Sequence, residues 1–209
     1  ATLRCSSSLI FNCFLTLKTM YLDVHSHTQH STSDTLVIRN QYPLTADTSE
    51  PFSVGIHPWF LNDFEAQWNA LIPLAQHFNC WAIGECGLDK NVTSPLSLQQ
   101  EIFLRHIELA ESLELPLIIH CVKAYAEVIQ LRKRTHSQQL WILHGFRKNL
   151  KVAQELIVHG IAISFGTPLL YSHQLQEVFK KIPPEYRFFE SDDSIQPLVI
   201  KQVEQAGLI

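Results

Sequence analysis

The chain has 209 residues, 46% of them hydrophobic and 17% charged, with four Trp and twelve Phe. That is enough apolar material for one sizeable core, and the length suits one domain better than two. A net charge of −4 excludes a broad basic face for bulk binding to nucleic acid or anionic membrane, although a metal centre would supply positive charge locally.

The five cysteines are Cys5, Cys13, Cys80, Cys86 and Cys121. Their odd number, with no C-x-x-C pair, argues against a disulfide framework or a thiolate zinc site and points to a reducing, cytoplasmic setting. No apolar run approaches the roughly 20 residues that a bilayer requires, so no membrane partner is expected.

In residues 1–19 the run LIFNCFLTL follows Arg4 and resembles a short signal h-region. Met20 is the only methionine, and a strand pattern starts directly after it. A start assigned too far upstream would give this arrangement. The expectation is therefore a non-structural extension over residues 1–19 and a single domain over 20–209.

From Tyr21 onward, short apolar runs alternate with longer amphipathic stretches. The runs are YLDVHSH, TLVIRN, FSVGIHP, CWAIGE, PLIIHC, LWILHG, IAISFG and RFFESD. Their length and β-branched, aromatic character predict buried parallel strands. Helical spacing is predicted over Ser97 to Leu115, Tyr125 to Arg134, Asn149 to Val158 and Ser172 to Lys181. Pro116, Gly160 and Pro183–Pro184 stop these helices before the next strand. Eight strands, most of them followed by a helix, predict a (β/α)₈ TIM-type barrel. The roughly 30 residues between His27 and His57 cannot hold two full helices and a strand, so the early crossovers must be short or irregular. A doubly wound open sheet is the alternative fold, but its Gly-rich phosphate turn is absent.

The polar residues that end these runs carry the chemistry. They are His25 and His27, His57, Glu85, His120, His144, and Glu190 to Asp193. In a barrel the C-terminal strand ends meet at one mouth, so these groups converge. Alternation along a strand turns His25 and His27 inward together, with Val24 and Ser26 facing outward. His, Glu and Asp are the ligand set of a hydrolytic divalent metal such as zinc, magnesium or manganese. There are enough of them for two ions, with His25, His27 and Asp192 at one, His120 and His144 at the other, and Glu85 bridging. Two ions sharing a carboxylate suit phosphoester hydrolysis, and such a site resembles the amidohydrolase-type barrels.

Taken in order, YLDVHSH, SVGIHP, AIGECGLD, PLIIHC, ILHGF and FFESDD resemble the signatures of the TatD family of metal-dependent deoxyribonucleases, over Met20 to about Asp193. That family's pattern runs D-x-H-x-H, G-x-H-P, G-E-x-G-L-D, I-H, H-x-F and E-[ST]-D. The resemblance implies a TIM-like barrel, two divalent cations and DNA as substrate. It carries metal ligation onto His25, His27, Glu85, His120, His144 and Asp192, with Glu85 and Asp192 catalytic and Asp192 orienting or deprotonating the attacking water. His57 is expected to face substrate.

Two departures from the pattern stand out. The family's arginine two places after the fifth-strand histidine is Val122 here, with Lys123 beside it. The family's C-F-S-G after the sixth-strand histidine becomes Gly145-Phe146-Arg147-Lys148. Lys123 and Arg147 are therefore expected to replace the missing phosphate partners.

Asp89 is expected to support the site from behind or shape a turn. Cys86 and Cys121 adjoin proposed ligands and should point away as buried hydrophobes. Trp59, Trp81 and Trp141 read as core packing. Two other functions compete with the nuclease: an amidohydrolase-type enzyme acting on a small amide, lactone or phosphoester, and a degenerate barrel that only binds.

Overall fold

All eight apolar runs form parallel strands, and they pair in chain order until the last returns to the first, closing a barrel. The computed structural model describes residues 21–28, 34–194 and 199–209, so the expected extension over residues 1–19 lies outside the described residues. The strands are β1 (Tyr21–Ser26), β2 (Thr35–Gln41), β3 (Phe52–Val54), β4 (Cys80–Asp89), β5 (Leu117–Val122), β6 (Trp141–Leu143), β7 (Ile161–Phe165) and β8 (Arg187–Phe189). The helices are α1 (Phe64–Ala75), α2 (Leu96–Leu113), α3 (Tyr125–Thr135), α4 (Leu150–Val158), α5 (His173–Lys181) and α6 (Val199–Gln205). Among the described residues, no helix lies between β1 and β2 or between β2 and β3, as the short spacing requires.

The starts of α4 and α5 follow side-chain chemistry. Asn149 accepts the Val152 amide at 3.1 Å and Ser172 accepts the Leu175 amide at 3.3 Å, so each stands just outside its helix as the N-cap. Sequence periodicity does not reveal α1, whose apolar stripe is interrupted by Pro73 inside the helix. Packing holds it instead. The Arg105 guanidinium of α2 lies over the rings of Phe64 and Trp68, at 4.7 and 4.4 Å from their centroids.

Two apolar layers result. Phe52, Val54, Phe103, Ile107, Leu117 and Ile119 belong to the layer between strands and helices. Val24, Ile38, Ala82, Ile118, Ile142, Ala162 and Phe188 form a second cluster, one residue from every strand except β3, and fill the barrel's interior. Each large side chain so buried contributes about 1.5–3 kcal/mol.

Val24 thus faces inward, contrary to simple alternation, and yet His25 does too. The cause is a bulge. From Asp23 to Ser26 β1 advances three residues while β2 advances two, from Val37 to Arg39, and the extra residue resets which side chains face the barrel. β4 does the same. Ile83 to Cys86 spans three residues against two on β5, Leu117 to Ile119, so Ala82 lines the lower barrel and Glu85 still reaches the mouth. The β4–β5 contact also requires glycine. A Cβ on Gly84 would lie 2.3 Å from the Ile118 carbonyl oxygen, and one on Gly87 would lie 2.1 Å from that of His120.

Candidate metal centre

The mouth of the barrel is tied together by backbone before any side chain acts. The His27 amide donates to the Asp192 carbonyl, and the Asp192 amide donates to the His25 carbonyl, both at 3.0 Å. This extends the β1–β8 pairing past the end of β8. The buried Asp23 carboxylate crosses the same seam, since its Oδ1 accepts the amides of His25 at 3.2 Å and Ser191 at 3.1 Å. Burial pushes Asp23 up to about 6, against the pull of those hydrogen bonds. Behind β4, Asn40 Oδ1 accepts the Glu85 amide at 2.8 Å.

Glu85 is the hub. Its Oε1 lies 2.7 Å from His144 Nε2, 2.9 Å from His120 Nδ1 and 3.1 Å from His57 Nε2. Its Oε2 faces His25 Nε2 at 3.5 Å and His27 Nε2 at 3.7 Å. Asp192 Oδ1 faces the same two histidine nitrogens, each at 3.7 Å. The six side chains singled out as ligands therefore converge, in two groups that share Glu85.

Electrostatics follows this geometry. Burial would raise Glu85, but the charge of His144 and the hydrogen bonds from His120 and His144 hold it well below the usual carboxylate range. Burial pulls His144 down, yet the carboxylates of Glu85, Glu190 and Asp192 outweigh it and push it up to about 10. His25, fully buried and facing His144, is held well below the ordinary histidine value by burial first and that charge second.

The donor set fits divalent ions. Both ring nitrogens of His25 are buried with no hydrogen-bond partner among the described residues, a costly arrangement unless a lone pair has another use. The 3.5–3.7 Å separations between His25, His27, Glu85 and Asp192 are long for hydrogen bonds. Two donors each about 2.1 Å from one tetrahedral ion stand roughly 3.4 Å apart. Two of the clusters with metal-holding geometry are His25, His27 and Asp192, and His57, Glu85 and His120.

His57 does more than face the cavity. Its Nδ1 accepts the Trp59 amide at 3.1 Å, so it shapes the turn before Pro58 while its Nε2 meets Glu85. The strand leading to it is pinned by buried His106, whose Nε2 accepts the Ile56 amide at 3.0 Å. Asp89 is only 2% exposed and supports the site from behind. Its Oδ2 lies 3.0 Å from His120 Nε2 and accepts Trp59 Nε1–H at 2.7 Å, leaving His120 Nδ1 turned to the hub. Cys86 and Cys121 pack in the layer outside the barrel.

Of the expected phosphate partners, Arg147 is exposed on the wall of a cleft of about 180 Å³ that also contains Asp192 and Asp193. Lys123 takes a left-handed backbone position after β5 and lines neither this cleft nor the cavity over the hub.

The sequence names Glu190 among the groups at the last strand end without giving it a role, and it does not single out Tyr42 or Phe60. Glu190 is buried, accepts the Gly145 amide at 2.7 Å and faces His144 Nδ1 at 3.8 Å. Alternation from Asp192 points to it, since residues two apart share a face. Burial raises Glu190 to about 7. Trp59 is a correction. It is 58% exposed, not core, and with Tyr42 and Phe60 it rims the cavity of about 330 Å³ over Glu85. Trp141, by contrast, is fully buried as expected.

Residues 19–205 match the model of the family described as TatD related DNase. The chain is 33% identical over 145 residues to the uncharacterized metal-dependent hydrolase YabD of Bacillus subtilis, a match covering 67% of this chain and 57% of YabD. It is 31% identical over 146 residues to the human 3'-5' RNA nuclease TATDN2, covering 66% of this chain and 19% of that protein. The crystal structure of YJJV, a TatD homolog from Escherichia coli K12, superposes with a TM-score of 0.70 at 21% identity, covering 82% of this chain and 78% of YJJV. The chain thus spans less than two thirds of the length of these curated relatives.

Proposed function

This chain belongs to the TatD-related DNase family, and from that premise we propose that it is a metal-dependent nuclease that hydrolyses phosphodiester bonds in DNA with two divalent ions. The observation that carries the reading is the hub: one buried carboxylate with three histidines on Oε1 and two on Oε2. His25, His27 and Asp192 would hold one divalent ion and His120 and His144 a second, with Glu85 available to both. Bound zinc, magnesium or manganese would supply Lewis acidity toward the phosphate and acidify the attacking water.

The remaining roles belong to the chain. Asp89 keeps His120 oriented through Nε2, as Glu190 faces His144 from behind. Asp192, 29% exposed at the mouth, is the group placed to orient the attacking water and take its proton, with Glu85 as the second catalytic carboxylate. His57 faces the cavity as a substrate-side group, and Arg147 is better placed than Lys123 to meet a phosphate. The buried thiols of Cys86 and Cys121, which form no disulfide among the described residues, support a reducing compartment such as the cytoplasm. Among the described residues, no helix is long and apolar enough to cross a membrane.

The test combines metal content with cleavage. Purified protein with Mg²⁺ or Mn²⁺ should shorten labelled single-stranded DNA, and the His120→Ala variant should not. Equal cleavage by the variant refutes the site assignment. Metal uptake with every nucleic acid left intact refutes the nuclease reading in favour of a small-molecule hydrolase.

A further inference from the structure

Three large aromatic side chains stand exposed at one edge of the mouth, although nothing in the fold requires them there. Tyr42 follows β2 and is 36% exposed, while Trp59 and Phe60 lie in the turn after β3 and are 58% and 47% exposed. They are contiguous. Tyr42 and Phe60 meet edge to face at 5.6 Å, and Phe60 and Trp59 lie 6.4 Å apart at 75°. Exposed apolar area gathered in one patch is characteristic of a binding surface rather than of ordinary surface composition.

The patch is also held still. The Phe60 amide donates to the His57 carbonyl at 2.9 Å and the Trp59 amide to His57 Nδ1. Gln67, at the start of α1, donates to the Phe60 and Asn62 carbonyls at 2.7 Å each. Trp59 Nε1–H is anchored on Asp89. A ring fixed before its ligand arrives loses little freedom on binding.

Its position decides the ligand. The Tyr42 ring lies over His27 at 6.4 Å with planes only 21° apart, and Trp59 lies 4.9 Å from His57 and 6.0 Å from His120. The rings therefore share one cavity with the metal-ligand set, and a group resting on them is joined to whatever is held over Glu85. The acidic side chains of Asp192 and Asp193 on the same cavity disfavour an anionic group against the rim itself. What suits it is a flat, uncharged ring covalently attached to a phosphodiester.

We propose that Tyr42, Trp59 and Phe60 form a stacking platform for the nucleobase beside the scissile phosphodiester. This deepens the nuclease reading and rests on it. Stacking on an aromatic face is sequence-tolerant, because every base has a π-face. The platform therefore holds an unstacked base without selecting a sequence, since a base stacked inside a duplex has no free face to offer.

The test uses two readouts. The first is cleavage of twelve-residue oligothymidylates in Mn²⁺, each carrying one abasic residue at a different position. At the position that meets the platform, losing the base should raise KM roughly tenfold in the wild type and leave kcat nearly unchanged. Phe60→Leu keeps the bulk but loses the ring, so it should remove most of this discrimination, and Phe60→Tyr should restore it. The second readout is tryptophan emission with the metal chelated. Intact oligothymidylate should quench a component that is absent from Trp59→Phe. Quenching without cleavage leaves the platform standing and refutes the nuclease reading. Cleavage that is indifferent to every abasic position, with no Trp59-dependent quenching, overturns the platform and leaves the nuclease. Discrimination that persists in Phe60→Leu also overturns it.

Discussion

Replacing His25 with leucine should make the metal-free protein more stable and the metal-loaded protein less stable than wild type. His25 is fully buried, and neither ring nitrogen has a hydrogen-bond partner among the described residues. An unsatisfied buried polar atom costs about 1–3 kcal/mol. Leucine removes both atoms and fills much of the same volume, at a packing cost of up to about 1.5 kcal/mol for the change of shape. The net gain without metal is then about 1–4 kcal/mol. At about 2–4 °C per kcal/mol for a chain of this size, the melting temperature should rise by roughly 2–16 °C. Metal reverses the order. An ion at a thousand times its Kd adds about 4.1 kcal/mol to the native state, and the variant lacks the lone pair that collects it. The assay is thermal unfolding of both proteins, first with chelator and then with Mn²⁺ or Zn²⁺. A variant that melts below wild type in chelator, or that keeps the full metal-induced shift, refutes the reasoning that these nitrogens are held bare for an ion.

Three further expectations follow from individual contacts. Asp89→Asn should weaken metal affinity or activity by about 10–100-fold, because His120 loses the carboxylate that fixes its Nδ1 toward Glu85; unchanged metal titration by calorimetry would contradict this. His106 is buried neutral, held down to about 4 by burial against the raising hydrogen bond to the Ile102 carbonyl. Its contribution is fully present above the unfolded value of about 6.5 and is lost as pH falls through about 4, some 3 kcal/mol in all. Urea midpoints between pH 7.5 and 4 should therefore fall less steeply in His106→Gln than in wild type, and parallel curves would exclude the assignment. Gly87→Ala would drive a Cβ to 2.1 Å from the His120 carbonyl and should cost about 3 kcal/mol or more, whereas Gly207→Ala, with nothing within 4 Å, should cost only about 1 kcal/mol. Comparable denaturation midpoints for the two variants would show the β4–β5 contact to be slacker than described.

The strands and the polar residues that end them were legible in the sequence because both are local properties. A run such as PLIIHC states its own burial and its own terminal histidine, and eight such runs in series leave few architectures other than a closed barrel. The convergence of His25, His27, Glu85, His120, His144 and Asp192 then follows from topology, since strand ends at one mouth must meet. The side-chain facing on β1 and β4 was not legible. Val24 and His25 both face inward because β1 carries one residue more than β2 along the same span, and a bulge belongs to the pair of strands rather than to either alone. Helix α1 was hidden by Pro73 and is held by Arg105 from α2, a partner 40 residues away in sequence from Glu65, which its guanidinium also meets. Trp59 read as core because a tryptophan beside a strand usually is. Its exposure, and its bond to Asp89, depend on where two distant strand ends stand relative to each other. The sequence by itself thus determined the barrel and the ligand-type residues at its mouth, through alternation and order along one chain. Only the tertiary structure decided how those residues aim, which carboxylates stand behind them and which aromatic rings are left facing the cavity, because these properties arise from contacts between elements that share no local pattern.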